Sequence, residues 1–479
     1  MPKEILNPAI EAIQDFVTRY DKNRFITSCR TAAHRSDFRG FTNFELADFD
    51  DEQIEAFIHN WFQSPLDQES NTAQRCWEQL NDGRNRAAKE LAQTPLLLTF
   101  LCLVYNRTQK FFDKRATLYR KALDILLEEW AADKRLEMGD IYDGLNTELE
   151  KVLLADIAYH GFVNDQLFFT RQELIDQINT FIEDTADKPT LPGKDILDAI
   201  AEQQGIFVER AEDVYSFSHL TLQEYLTAQY ISQDSQLAAD IVEAHLVEDR
   251  WREVFLLIPG LLRNADAYLL TMEATTQQHL NTPKLKTLID WANNATKDSE
   301  GDYKPAAKRV AAIYLALDLD IARPLALYRA RPRALARALC LDRDLALYRV
   351  VDITRDRDRA LYRALDRDRD RAKKFNQSNI FRAADFPAII IHLESLKDQE
   401  ANNKLFENRQ QIVEKISEIW CEGLNLNANL LKLSNDEIES FSRYFSANCL
   451  ILGCKESAVR VSKSTWETIE HRMLTLWEE

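Results

Sequence analysis

Glycine and proline are scarce in this sequence, which contains only 11 Gly and 12 Pro among 479 residues. Because these residues dominate turns and disordered segments, their scarcity argues against a β-rich or disordered chain and favours helix. Long apolar runs are also missing. The longest, residues 95–105 and 254–262, fall well short of the roughly 20 residues that span a bilayer. The sequence therefore predicts no membrane-spanning segment, and the second run, around residues 254–262, is predicted to form an apolar hairpin between helices.

Disulfides and secretion signals are not indicated either. The 7 Cys are scattered, and no secretory signal opens the chain, so we expect reduced thiols and a cytoplasmic location. The formal net charge of −18 does not favour general binding to nucleic acids. We therefore expect no nucleic-acid partner and no membrane association.

The sequence also lacks the glycine-rich loop G-x-x-x-x-G-K-[S/T] that cradles nucleotide phosphates in many NTPases. Its one Gly-Lys pair, Gly193-Lys194, is followed by Asp195, and Lys188 stands where the motif needs its first glycine. This pair is therefore not a P-loop, and we assign no catalytic residue and no metal ligand.

One short stretch, residues 217–226 (Phe-Ser-His-Leu-Thr-Leu-Gln-Glu-Tyr-Leu), combines several local signals. Residues 214–217 alternate apolar and polar positions, as a half-buried strand does. Thr221 and Glu224 have the spacing of a capping box, which predicts a helix that starts at Thr221. His219 lies in the joint between strand and helix, where the orphan N–H groups of the first helical turn favour an anion.

The segments before this stretch complete a recognisable pattern. Residues 205–210 form a second apolar run, and residues 211–213 predict a short hairpin loop. Helical patterns cover residues 145–159, 170–182 and 195–204, the second with a capping box of Thr170 and Glu173. Helices, a hairpin and a further helix are typical of a winged-helix domain. Its third helix is more acidic than basic, so it lacks the basic face that DNA phosphates require.

The pattern Phe-x-His-x-x-x-Gln-Glu-Tyr-Leu resembles the end of the winged-helix domain of NACHT proteins. These are signal-transduction ATPases of the class that includes NOD-like receptors and many bacterial relatives. In that family the histidine contacts the β-phosphate of bound ADP and locks the closed, inactive state. The resemblance implies this role for His219. The alternative is that His219 only satisfies backbone groups at the end of the hairpin.

The resemblance implies two further nucleotide contacts. Residues 24–29 predict a short buried strand after a helix, a fragment of a parallel α/β sheet, and Arg30 follows it directly. Arg30 matches the family's sensor 1 arginine, which reaches the γ-phosphate, although the family more often has Ser-Arg where this chain has Ser-Cys-Arg. Pro95 matches a Pro-Leu-Leu that packs against adenine, and it also predicts a helix N-terminus. For Arg30 the alternative is an ordinary surface arginine.

The resemblance starts in the middle of the family's nucleotide-binding module. The family's P-loop is missing, and so is the acidic strand that handles magnesium, which would come directly before Pro2. We therefore expect a truncated gene product or the C-terminal part of a split protein. Such a chain would bind ATP or ADP with Mg²⁺ only when the missing half is supplied.

Residues 322–374 differ in composition from the rest of the chain, with 14 Arg and 2 Lys against 8 Asp, a net charge of +8. Leu-Tyr-Arg recurs at Leu327, Leu347 and Leu361, without the fixed period of a solenoid. Asp and Arg three residues apart, such as Asp366 and Arg369, predict exposed helices. A solvated helical stack and a basic partner-binding surface both remain open.

The C-terminal end contains Cys449, Cys454 and His471. Together with the Val-Ser-Lys-x-x-Trp stretch at residues 461–466, it resembles a helical domain that ends many cyanobacterial NACHT proteins. The spacing is not a known zinc-finger pattern, so a buried structural thiol pair is favoured over zinc.

These patterns together predict a mainly α protein. It would contain a remnant of a parallel α/β nucleotide-binding core, a helical domain with a winged helix, and an all-α C-terminal half. The predicted divisions are the core remnant (1–60), helical domain (61–134), winged helix (135–235), helical region (236–315), Arg/Asp-rich segment (316–374) and Cys/His helical domain (375–479).

Two functions remain open from the sequence. One is the regulatory portion of a NACHT signalling NTPase, a nucleotide-dependent switch in signal transduction or defence. The other is a helical scaffold that binds a protein partner and no nucleotide. We expect a protein partner or self-association.

Overall fold

A computed structural model describes residues 12–26, 41, 48–82, 85–112, 114–134, 147–185, 192–201, 206–301, 303–319, 361–403 and 409–477. These residues are mainly helical and fall into two compact units. The first unit takes its described residues from Met1–Ala238, Glu248–Arg263 and Ser457–Val459, and the second from Ala239–Val247, Asn264–Glu456 and Arg460–Glu479. No helix among the described residues is long and apolar enough to cross a membrane.

The first half of the chain consists of helices and one small sheet. Residues 12–19 are helical. The helices that follow are α1 (Asp51–Trp61), α2 (Pro65–Glu69), α3 (Thr72–Leu80), α4 (Arg86–Leu91), α5 (Pro95–Thr108), α6 (Arg115–Lys134), α7 (Thr147–Val163), α8 (Arg171–Glu183), α9 (Gly193–Ala199) and α10 (Leu220–Ile231). The strands are β1 (Phe169–Thr170), β2 (Phe207–Ala211) and β3 (Val214–Phe217).

In the second half of the chain, the regular secondary structure of the described residues consists of helices connected by short loops. Its helices are α11 (Ser235–His245), α12 (Arg252–Leu261), α13 (Asp266–Gln277), α14 (Pro283–Thr296), α15 (Pro305–Leu319), α16 (Leu361–Ser378), α17 (Phe386–Asn403), α18 (Arg409–Gly423), α19 (Asn435–Ser457) and α20 (Lys463–Arg472). Short 3-10 turns cover Asp249–Trp251 and Ala428–Leu431. The predicted mainly α fold is therefore confirmed.

The break before Pro95 lies where the sequence predicts it. Helix α4 ends at Leu91, Thr94 is extended (φ −95°, ψ 123°), and Pro95 is the first residue of α5. Proline suits this position because the first N–H of a helix has no intrahelical acceptor. Helix α5 then packs on α6, where the Phe100 and Tyr119 rings meet edge to face at 6.0 Å.

The winged-helix region is built on a three-stranded antiparallel sheet with the order β1-β3-β2. The Thr170 capping box is confirmed, because the Glu173 N–H donates to Thr170 Oγ1 (3.2 Å) and the Thr170 N–H donates to Glu173 Oε2 (2.6 Å). The hairpin is also confirmed, with a tighter turn than predicted. Ala211 pairs with Val214, and Asp213 takes a positive φ of 58°. Strand β1 was not predicted, since two residues are too short for a periodic signal.

Three predictions about local structure are not confirmed by the structure. The capping box at Thr221 is wrong, because α10 starts at Leu220 with His219 in the N-cap position. Thr221 Oγ1 is instead buried without a hydrogen bond, and Glu224 is only 8% exposed. The apolar hairpin expected at residues 254–262 is a single helix, α12, with Pro259 near its end. Residues 24–26 form no strand, and Ile26 is 99% exposed; the rest of that predicted strand lies outside the described residues.

The Arg/Asp-rich segment is described from Leu361 onward, as helix α16. The Asp366–Arg369 ion pair is present at 3.3 Å. One face of α16 packs on α17, with Ala372 and Phe375 fully buried. Thus the described part of the segment contributes to a core and is not solvated on all sides.

Candidate functional site

His219 lies at the head of α10, directly after the hairpin. Strand β3 ends at Phe217, and His219 is extended (φ −139°, ψ 138°) in the N-cap position. Its carbonyl accepts a hydrogen bond from the Leu222 N–H at 3.1 Å, which closes the first turn. The imidazole does not cap the helix, and the residue is exposed. The joint therefore presents the ring at the surface beside the first N–H groups of the helix.

The backbone before His219 is fixed by Arg210 on β2. Arg210 Nε donates to Ser216 Oγ and Nη2 donates to the Ser218 carbonyl, both at 3.0 Å. The Ser218 N–H donates to the Ile206 carbonyl at 2.7 Å. This clamp across the hairpin determines where the chain leaves the sheet. Sequence reasoning missed Arg210, since only the strand pairing brings it beside residue 218.

The three residues that carry the family pattern after His219 are part of the core. Gln223 and Tyr225 are each 2% exposed, and Glu224 is 8% exposed. Gln223 Nε2 donates to the Gln166 carbonyl at 3.3 Å. Helix α7 crosses α10 closely at Gly161, where a Cβ would lie 3.1 Å from that same amide nitrogen. Gln223, Glu224 and Tyr225 thus anchor the helix, while His219 faces outward.

Tyr225 connects α10 to helix α6. Its ring stacks on that of Tyr119 with centroids 5.8 Å apart and planes 7° apart. Burial raises the pKa of both phenols, and the nearby Glu253 carboxylate raises that of Tyr119 further. Both phenols therefore stay neutral at physiological pH.

Comparison with known protein families gives two matches. A model described as the winged helix-turn-helix domain C-terminal to NACHT matches residues 163–231, from the end of α7 to the end of α10. A second, NACHT C-terminal helical domain 2, matches residues 389–476. Residues 163–231 and 389–476 are thus similar to two domains that lie C-terminal to the nucleotide-binding core of NACHT proteins. No curated protein matches the chain. The first match ends with the helix headed by His219.

Of the other two residues that the resemblance implies for nucleotide binding, only Pro95 is described by the structure. Pro95 is exposed at the start of α5. The Phe100 ring on the same helix meets Tyr119, which stacks on Tyr225 of the His219 helix. A chain of three aromatic rings thus connects the helix of Pro95 with the helix of His219. Arg30 lies outside the described residues, so its predicted role stays a prediction.

The C-terminal cysteines of the NACHT helical domain do not form the expected buried pair. Cys449 and Cys454 both lie on α19, where a separation of five residues places them about 140° apart around the helix. Cys454 is buried, Cys449 is half-buried, and His471 is exposed. Across the part of the chain that is described, no group of three His, Cys, Asp or Glu side chains is arranged to hold a metal ion.

A thiol pair exists in a different place. Cys76 on α3 and Cys102 on α5 are both buried, and neither is in a disulfide. A hydrogen bond to Cys102, together with burial, raises the pKa of the Cys76 thiol far above its ordinary value. The Cys76 thiol is therefore neutral, and both cysteines pack as part of the core.

Proposed function

We propose that this chain is the regulatory portion of a nucleotide-dependent NACHT switch, in which His219 contacts a phosphate of bound ADP. The observation that carries the proposal is the contrast within α10. His219 is exposed at its head, while Gln223, Glu224 and Tyr225 behind it are buried. The packed helix and the Arg210 clamp hold the backbone on both sides of His219 in place, which favours a positioned phosphate contact.

The chemistry of the joint supports an anionic ligand. The first turn of α10 offers N–H groups and a partial positive charge. A neutral imidazole supplies one further donor, and a protonated one supplies two. A neighbouring phosphate favours the protonated form, so the contact strengthens as pH falls toward about 6.

The proposed site is incomplete within this sequence. With no P-loop motif in the chain, the phosphate cradle and the groups that handle Mg²⁺ would come from a separate polypeptide or segment. Arg30 and Pro95 would add contacts to the γ-phosphate and the adenine in the completed module. A ligand that binds one arrangement of this module better than another shifts the equilibrium between them, which is the basis of a switch.

The test uses the chain mixed with a separately produced NACHT core that contains a P-loop. Titration with fluorescent ADP and ATP compares the wild type with His219→Ala. We expect His219→Ala to weaken ADP about tenfold, the effect of losing a hydrogen bond to a charged group, and to weaken ATP less. His160→Ala is the matched control, because His160 is an exposed histidine of the same unit that pairs with Asp156. An equal loss for both nucleotides, or no loss, would contradict the proposal.

A second candidate is a helical scaffold that binds a protein partner without nucleotide. Ile391 favours it, because this residue is 62% exposed on α17 within the matched C-terminal helical domain. Size-exclusion chromatography with light scattering tests self-association. An Ile391→Asp variant that dissociates an oligomer, together with failure of every nucleotide titration above, would favour the scaffold.

A further inference from the structure

Two helices of the first unit, α6 and α12, meet at the side chain of Glu253 on α12. Arg115 Nη1 on α6 donates to both oxygens of this carboxylate, at 2.7 and 2.5 Å. Tyr119, one turn further along α6, donates from Oη to Glu253 Oε1 at 3.5 Å. The two ends of the ion pair are 138 residues apart in the sequence. Glu253 therefore joins a helix before the winged helix to one after it.

The same tyrosine connects this ion pair to the candidate site. The fully buried ring of Tyr119 stacks on Tyr225, six residues beyond His219 on α10. Helix α10 also packs directly against α12, the helix that carries Glu253. Glu253 thus contacts the hydroxyl of Tyr119, and Tyr225 contacts its ring. A shift of α6 relative to α12 would therefore also disturb the packing of α10 on α6.

We propose that Glu253 is a positioning residue for His219, and that its ion pair with Arg115 latches α6 to α12 and so holds α10 in place. The role assigned to His219 rests on the proposed function, but the latch itself operates without nucleotide. Its strength comes from combined contacts. The Arg115 and Glu253 side chains are 27% and 22% exposed, and Tyr119 is fully buried, so removing the carboxylate removes the acceptor of a buried hydroxyl as well as a charge.

Native-state hydrogen exchange on the full chain, read by mass spectrometry, tests the latch. We expect Glu253→Ala to speed exchange of the α10 amides about tenfold, since local opening of the helix is what exposes them. Glu253→Gln keeps an acceptor for Tyr119 but loses the charge, so its effect should be smaller. The exchanged pair Arg115→Glu with Glu253→Arg should restore protection, which a purely steric role would not predict. Urea unfolding of each variant separates local opening from a global loss of stability.

The control is a second ion pair of equal length and similar exposure. Arg171 and Asp198 join α8 to α9 at 2.5 Å, with side chains 30% and 33% exposed. Asp198→Ala should speed exchange in α8 and α9 and leave α10 unchanged. Unchanged α10 exchange in Glu253→Ala, equal α10 exchange in both alanine variants, or no restoration by the exchanged pair would overturn the latch. If the hydrogen-exchange results support the latch but His219→Ala leaves nucleotide binding intact, only the proposed function is refuted.

Discussion

The Asp266 carboxylate accepts a hydrogen bond from the backbone N–H of Ser462 at 2.8 Å, across 196 residues of sequence. Beside it, the Ala265 N–H donates to the Arg460 carbonyl at 3.0 Å. Ser462 is the N-cap residue of α20, and Asp266 is the first residue of α13. These bonds tie the start of the last helix to the start of a helix near the beginning of the second unit.

Asp266→Asn tests the contribution of this carboxylate. Burial alone would raise the pKa of Asp266, but the hydrogen bonds from Ser462, Asn264 and Thr465 outweigh it and lower the pKa below its ordinary value of 3.8. A carboxyl with a lowered folded-state pKa stabilises the protein above its unfolded-state pKa and loses this effect as pH falls through the folded value.

We therefore expect Asp266→Asn to lower the free energy of unfolding by about 1 kcal/mol at pH 7. The difference from the wild type should shrink below about pH 4, as the wild-type carboxyl protonates. Urea unfolding of both proteins at pH 7, 5 and 3.5 measures this difference in the free energy of unfolding. Asp290→Asn is the control, because that exposed carboxylate bonds only Asn294 on its own helix among the contacts described. A difference that grows as pH falls would contradict the assignment.

The isolated chain should not hydrolyse ATP. Phosphoryl transfer depends on a P-loop lysine, its backbone N–H groups and positioned magnesium, and the sequence contains no P-loop motif. Phosphate release from purified protein, measured with and without Mg²⁺, should equal that of a buffer blank. Steady turnover that is abolished by changing a single residue of this chain would contradict the expectation.

Structure specified by neighbouring residues could be predicted from the sequence. The Thr170 capping box, the helix start at Pro95 and strand β3 each depend on signals within a few positions. The same capping pattern failed at Thr221, because its hydroxyl is buried in the first turn of a helix packed on both α7 and α12. Tertiary packing there overrides a correct local spacing.

Contacts between distant residues could not be predicted in this way. His219 was found because a family pattern surrounds it, whereas the residues that hold it were not. Arg210 reaches residue 218 only through the hairpin register, and Arg115 meets Glu253 only after α6 and α12 pack together. A single sequence contains no signal that pairs such positions, so the structure was needed to show what fixes the candidate site.

The Arg/Asp-rich segment should act through electrostatics if it binds a partner. On its described part, Asp366 pairs with both Lys397 (2.6 Å) and Arg369 (3.3 Å), while Lys373 and Lys374 are exposed. Because exposed charges are screened within about 8–10 Å at physiological salt, binding through this surface should weaken steeply between low and moderate ionic strength.

A salt titration of the affinity for any identified partner measures this effect. Replacing Lys373 and Lys374 by Gln should reduce the slope of affinity against salt without changing the melting temperature. Affinity that is indifferent to salt would leave only a structural role for the segment.

Arg472 and Glu273 form the most buried ion pair among those described in the second unit. Arg472 donates from Nε (3.2 Å) and Nη2 (2.6 Å) to the two carboxylate oxygens, and the Glu273 side chain is only 5% exposed. The guanidinium also lies 4.2 Å from the centre of the Trp477 ring. Burial raises the pKa of Glu273 above its ordinary value of 4.5, and Arg472 opposes part of that rise.

Arg472→Met should lower the free energy of unfolding by about 3–5 kcal/mol at pH 7, because it leaves an uncompensated charge in the core. Without the opposing arginine, the pKa of Glu273 rises further. A carboxyl with a raised folded-state pKa gains stability as pH falls through that value toward 4.5, so the deficit should shrink between pH 7 and 5. The double variant with Glu273→Gln should recover part of the loss at pH 7.

Arg443→Met is the control, since the ion pair of Arg443 with Glu439 is exposed and its loss should change the free energy of unfolding by less than about 0.5 kcal/mol. Urea unfolding at pH 7 and pH 5 measures the free energy of unfolding of each variant. If the loss of stability in Arg472→Met persists at pH 5 and in the double variant, then Arg472 stabilises the protein by packing on Trp477 and not by its charge.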